Sequence, residues 1–422
     1  MKHRLILALA AFLLPASASA QTAAWVQLGP GGVAEARAVT SAAACPQALV
    51  DGKAMAMTIR AAGDAQFQLT CALPIPAGAK AVSVDGRALP VPVTNPKTIL
   101  VLGDTGCRIK GTFVQACNDP KAWPFAALAA SAAALKPDLV IHLGDYLYRE
   151  SPCPPAFAGC AGSPYGDNWA SWDADFFTPG APLLAAAPFI VIRGNHEDCA
   201  RAGAGYIRLL GPLAYDPATP CIDHLAPYAV TAGRQTIAVT DTAIGSDQTI
   251  DDKVVADFQK DFEALTALAN AAPGHQVWLT SHRPIWGAIT GPAGIPIGGS
   301  VNLIQAAGGL RALAGVSLML AGHIHSFEAM NYTALRGQKV PPQIVAGNGG
   351  DNLDVTPVNL KHAIFQGSSG VNVADGLSVG GYGFLTMTRA GAGWSIQLYD
   401  LAGVAGMKCA LASGRLTCEP PK

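Results

Sequence analysis

Leu139-Val140-Ile141 followed by Gly144-Asp145-Tyr146-Leu147-Tyr148 is the stretch on which the reading of this 422-residue chain turns. A short, continuous apolar run closed by Gly and a polar side chain suits a strand buried on both faces and ending in a turn. The same design recurs outward in both directions. Thr98-Ile99-Leu100-Val101-Leu102 runs into Gly103-Asp104-Thr105-Gly106, and Phe189-Ile190-Val191-Ile192 runs into Gly194-Asn195-His196-Glu197. Val277-Trp278-Leu279 leads to Ser281-His282, and Val316-Ser317-Leu318-Met319-Leu320 leads to Gly322-His323-Ile324-His325. Such strands, alternating with helical stretches, predict an α/β layered fold. Ligands of these sheets gather beyond the carboxyl ends of the strands, so the five polar turns predict one shared site.

The residue types at those turns are oxygen and nitrogen metal ligands. Two ions held roughly 3.5 to 4 Å apart need a shared carboxylate between them, and the central Asp145 is the expected bridge. Asp104 and His325 are expected on the first metal, and Asn195, His282 and His323 on the second. His323 and His325 are two apart, so on extended backbone they point the same way and can grip adjacent ions. Any one of these motifs is weak, because Gly beside Asp or Asn is a common turn signal; the set of five carries the expectation.

In this order the motifs resemble those of the calcineurin-like metallophosphoesterases, and most closely the purple acid phosphatase branch, across roughly residues 98–400. The superfamily's first motif often reads Asp-x-His; the corresponding position here is Gly106, so that ligand is absent. Tyr148, three residues after Asp145, matches the tyrosine that the purple acid phosphatase branch uses, with Tyr146 as its nearest competitor. The resemblance implies a phenolate on a first metal that is Fe(III), with Fe(II), Zn(II) or Mn(II) as the second. It implies that His196 binds the phosphate and protonates the leaving oxygen, a role suited to a side chain titrating near neutrality. It further implies a two-sheet α/β sandwich flanked by helices and preceded by a small β domain. The implied activity is hydrolysis of phosphomonoesters by in-line attack of a metal-bound hydroxide. The alternatives are a phosphodiesterase of the same superfamily and a metal-dependent binding protein without turnover; a complete ligand set and His196 argue against the latter. Arg283 and Arg201 are the arginines that sequence puts near the turns, as phosphate contacts or as solvated structural groups. Asp241 is a candidate support for the ligands, and His142, His224, His275 and His362 read as packing or surface residues.

Composition bounds the rest. With 50% hydrophobic and 14% charged residues the chain can bury a large core. Basic Lys2-His3-Arg4, an apolar run from Leu5 to Leu14 and Ala18-Ser19-Ala20 read as a cleaved secretory signal over residues 1–20. Without Lys2 and Arg4 the 28 basic side chains become 26 against 29 acidic, a net charge of −3. No basic or aromatic platform for nucleic acid is present in the sequence, and no later stretch has the length of a membrane span; the expected partner is a small phosphorylated solute. Ten cysteines in an exported chain suggest disulfides. Sequence neighbours are expected to pair: Cys45 with Cys71, Cys107 with Cys117, Cys153 with Cys160, Cys199 with Cys221 and Cys409 with Cys418.

Residues 21–96 differ from the remainder of the chain. Short alternating segments such as Ala54 to Ile59 and Ala81 to Val84 predict a small β-rich domain, with Val91 to Pro96 as linker and residues 97–422 as the catalytic domain. Helices are predicted over Trp123 to Leu135, Asp251 to Ala271 and Val301 to Ala314. The Gly-rich stretches Gly287 to Gly299 and Gln366 to Gly383 read as long flexible loops.

Overall fold

The computed structural model describes residues 21–419, apart from 272–273, 309–312, 334–336 and 368–369. Residues 1–20, read above as a signal, lie outside it. Two large sheets face each other. An eleven-stranded sheet carries Thr98–Leu102, Leu139–His142 and Phe189–Val191 side by side and parallel at its centre. A seven-stranded sheet carries Gln235–Val239, Gln276–Thr280, Val316–Ala321 and Gln343–Ala346, again parallel.

The period of two along the strands decides which way each side chain goes. Ile99 and Val101 join Ile141, Ile190, Trp278, Leu318 and Leu320 in the layer between the sheets. Leu100, Leu102 and Val140 point outward onto Phe125, Leu128 and Leu184 of the helices Phe125–Ala134 and Thr178–Ala186. On the far side Val277, Leu279 and Met319 meet Phe258, Phe262 and Leu265 of the helix Asp252–Ala271. The result is the helix-flanked two-sheet sandwich, with its central strands buried on both faces as the apolar runs require.

The small β region does precede this sandwich, and it has a four-stranded sheet of its own comprising Gln47–Val50, Lys53–Ala56, Val82–Val84 and Arg87–Leu89. Its other strands extend the large sheet. Gln21–Leu28 pairs in parallel with Phe189–Val191 through Gln27 and Phe189, and Trp25, Val39 and Phe67 share a core with Leu100 and Val140. Two further expectations need correction. The Gly-rich stretches are not simply loops: Ala288–Thr290, Pro296–Gly298 and Ile364–Phe365 form a three-stranded sheet, and Val373–Val379 is the edge strand of the seven-stranded one. Turn residues masked the short strands between them. The third helix spans only Val301–Ala306, although part of the predicted range, 309–312, is outside the described residues.

All ten cysteines pair as sequence neighbours. Two of the bridges, Cys107–Cys117 and Cys199–Cys221, close loops that start just after Asp104 and Asn195; by chain entropy each is worth about 3 kcal/mol. No helix among the described residues is long and apolar enough to cross a membrane.

Candidate metal centre

The five strand-end turns converge at one end of the sandwich. Asp104, Asp145 and His323 hold positive φ values of 58°, 57° and 71°. That left-handed conformation is uncommon for residues with a side chain and clusters at functional sites. Asp104 accepts from the His323 N–H at 2.9 Å and Asp145 lies 3.1 Å from the His282 ring, so both reach turns of the other sheet.

Tyr148 is the hub. Its hydroxyl lies 3.1 Å from Asp104 Oδ1, 2.8 Å from Asp145 Oδ2 and 3.1 Å from His325 Nε2. Tyr146 turns the other way, donating to the Ile192 carbonyl at 3.0 Å within an aromatic cluster of His142, Trp172 and Phe176. The glycine at 106 has a steric reason: a Cβ there would fall 2.6 Å from the Tyr146 carbonyl oxygen and 2.8 Å from the Tyr148 ring. The backbone carbonyl alone excludes a histidine at 106 in this backbone, and the Tyr148 ring fills the space beside it.

His282 Nε2 lies 3.1 Å from Asp145 Oδ2 and 3.0 Å from Asn195 Oδ1. Its Nδ1 is 2.8 Å from the Leu143 carbonyl, which can only accept, so Nδ1 carries the proton and Nε2 is left for the site. The same logic orients His325, whose Nδ1 is 2.6 Å from the Asn352 carbonyl. His323 Nε2 is 2.8 Å from Asp247 and 2.9 Å from Arg283 Nη1, so Nδ1 is the ring nitrogen left for the cluster. Ligand atoms of Asp145, His282 and His323 all lie within 4.8 Å of one another.

The electrostatics fit a cation. Burial alone would lower the His282 and His325 rings. Asp145 and Asp104 carry the first up to about 9 and Asp351 with Asp104 the second up to about 10. Burial, together with Asp145 and Asp104, pushes the Tyr148 phenol well above its ordinary value. Two carboxylates, a phenol and imidazoles aimed by carbonyls form a donor set that holds positive charge, as protons or as metal ions.

His196 stands at the edge of the cluster. Its ring packs on Tyr148 with centroids 3.9 Å apart, its Nδ1 lies against the Glu150 carboxylate, and its Nε2 is 3.9 Å from Asp145 Oδ2. Burial would raise Glu150, but His196 holds it down at about 2.

Several supporting residues were not legible in the sequence. Glu197 is completely buried and accepts from the backbone N–H groups of Asp145, Tyr146, Leu147 and Gly194 at 2.8–3.1 Å, locking two turns together. Its place three residues after Gly194 is the capping-box position, the one local signal that could have found it. A Cβ on Gly194 would sit 2.0 Å from Asp145 Oδ1, so these turns touch backbone to side chain. Asp175 accepts from the N–H groups of Tyr148 and Cys107 and pairs with Arg149. Arg108 lies over the Tyr148 ring at 4.8 Å and pairs with Asp351. Arg283 is engaged by Asp247 and His323, and Arg201 by Asp198 and the Asn195 carbonyl. Asp241 pairs with Arg193, away from the ligands. His142 is buried against Thr105 and Tyr146, and burial lowers it to about 3; His224 pairs with Asp261, and His275 meets Thr236. His362 lies in a short helical turn, Leu360–His362.

The cluster opens into a cavity of about 310 Å³ lined by Arg108, Tyr148, His196, Asp247, Ile289 and Ile297 among others. A larger groove of about 860 Å³, between Thr40 to Leu69 and Asn168 to Ala170, has Asp64 as its sole titratable side chain among the described residues that line it.

Residues 97–327 match the calcineurin-like phosphoesterase family. Among solved structures, purple acid phosphatase PPD1 from yellow lupin (Lupinus luteus) seeds superposes with a TM-score of 0.57 at 12% identity, over 94% of this chain and 73% of that one. PhoD superposes with a TM-score of 0.58 at 11% identity, over 97% and 94%. At such identity the likeness is one of fold. No curated protein matches the chain.

Proposed function

The chain belongs to the calcineurin-like phosphoesterase family, and within it we propose an exported two-metal phosphatase that hydrolyses phosphomonoesters. The observation that carries this is the convergence on Tyr148 of Asp104, Asp145 and His325, with His282, Asn195 and His323 beside them. Asp104, Tyr148 and His325 would hold one ion, Asn195, His282 and His323 the other, and Asp145 both. A phenolate donor favours Fe(III) on the first site, with Fe(II), Zn(II) or Mn(II) on the second. Bound there, the ions supply a water of lowered pKa and neutralise charge on the phosphoryl oxygens.

The rest is done by side chains. His196 lines the cavity with the Glu150 carboxylate against Nδ1; that contact aims the ring and leaves Nε2 as the atom that can pass a proton to the departing oxygen. Arg108 brings a permanent charge to the cavity and is braced by Asp351 and the Tyr148 ring. It is better placed than Arg283 to meet a phosphoryl group. Asp247 fixes His323 through Nε2. Five disulfides support an oxidising compartment.

The test combines metal analysis, a visible absorption spectrum and hydrolysis of an aryl phosphomonoester and diester, with Tyr148→Phe as control. Two metals per chain, a visible band lost in Tyr148→Phe and a preference for the monoester are expected. A colourless two-metal protein preferring the diester would replace this reading with a phosphodiesterase, and absent turnover would end it.

A further inference from the structure

The small sheet beside the cavity has the wrong outer face for a solvated surface. Its inner residues behave as expected: Ala288 and Phe365 are buried and join the core over the seven-stranded sheet. A sheet with one face on the core ordinarily shows polar side chains on the other. Here Ile289 is paired with Ile297, and Ile297 with Ile364, so the three isoleucines stand in one row across three strands on the same face. Ile289 is 38% exposed and Ile364 58%. The row starts in the cavity that also holds Tyr148, His196 and His323, and runs outward from it.

Charge at the cavity points the same way. Among the described residues Arg108 is the one permanent cation lining it, and Asp351 already engages that guanidinium. Asp247 and Asp354 line the same space. One phosphoryl group can be matched; a second or third would meet carboxylates and isoleucine.

From this row, and resting on the phosphatase reading above, we infer that the substrate is a singly phosphorylated ester of an apolar alcohol, alkyl or aryl, whose carbon chain lies along Ile289, Ile297 and Ile364. Polyphosphates and sugar phosphates are poor substrates, since their polar groups would lose water against the row without gaining partners.

The test titrates alkylphosphonates from ethyl to octyl into the metal-loaded protein by calorimetry and follows hydrolysis of the matching alkyl phosphates in parallel. Affinity is expected to rise about threefold for each of the first added methylenes, with a negative heat-capacity change. Ile289→Ser/Ile297→Ser should flatten that slope, and Val404→Ser, exposed at the turn between Gly393–Asp400 and Ala405–Ala412 of the eleven-stranded sheet, should leave it intact. Ile364→Ser, the most exposed of the three, serves if the double variant does not fold. A flat series in the unmodified protein, or a slope that survives these substitutions, would overturn the inference. The two readings separate: phosphonate binding with the slope but no ester turnover removes the hydrolase and keeps the pocket. Turnover indifferent to chain length with flat binding does the reverse.

Discussion

At the scale of single residues, the site is built from side chains that would be poor choices anywhere else. Asp104, Asp145 and His323 adopt left-handed backbone, and Tyr148 spends its hydroxyl on three acceptor-rich neighbours. The residues that meet at the site could be read from sequence because each closes an apolar run. Spacing alone does not separate Tyr148 from Tyr146, and the resemblance decides for Tyr148; in the structure the Tyr148 hydroxyl meets Asp104, Asp145 and His325 whereas that of Tyr146 goes to the Ile192 carbonyl. Arg108 and Asp351 are 243 positions apart, a separation no local pattern encodes. His196 is the residue whose removal is most diagnostic. His196→Ala is expected to lower kcat about 100-fold or more on an alkyl phosphate, whose leaving oxygen needs a proton. The loss should be much smaller on a nitrophenyl ester, and metal content unchanged. Equal losses on both esters would mean that His196 does not deliver the proton.

At the scale of elements, strands did the specifying and loops hid the detail. The parallel strands announced themselves through uninterrupted apolar runs, whereas the three-residue strands at 288–290 and 296–298 vanished among glycines. Their backbone is tied down from beneath by Glu328, a fully buried carboxyl on the strand Phe327–Tyr332 that accepts from the Ala288 N–H at 3.2 Å and leaves Oε1 without a partner. Burial raises Glu328 to about 8, against 4.5 for the free side chain. Proton binding sets the sign of the effect. Below pH 4.5 both folded and unfolded chains are protonated here; between 4.5 and 8 only the unfolded chain ionises, so stability falls as pH rises. Glu328→Gln should remove this loss, on the order of 4 kcal/mol across that window. Denaturant unfolding of both proteins at pH 5 and pH 8.5 measures it; parallel pH profiles would show that Glu328 is not the source.

At the scale of the whole molecule, the layered architecture was legible because it follows from burial on both faces of the central strands. The attachment of the N-terminal region was not, because a parallel pairing between Gln27 and Phe189 leaves no mark in either segment. That pairing predicts the behaviour of a truncated chain. Residues 97–422 alone would expose Phe189–Val191 as a raw sheet edge and strip Trp25, Val39 and Phe67 from a shared core. The fragment is expected to aggregate where residues 21–422 stay monodisperse in gel filtration. A well-behaved, metal-binding fragment would show the N-terminal region to be dispensable.

The same pairing orders events in time. The strand Gln21–Leu28 is made before Phe189–Val191, the strand it needs, and its hairpin partner Ala34–Thr40 satisfies one edge only. Until Phe189–Val191 has been made, the other edge must wait unpaired, so the large sheet closes late and through a contact distant in sequence. A chain built this way has reason to remain unfolded while it is being made, and to seat its first strand only after the middle of the chain has formed.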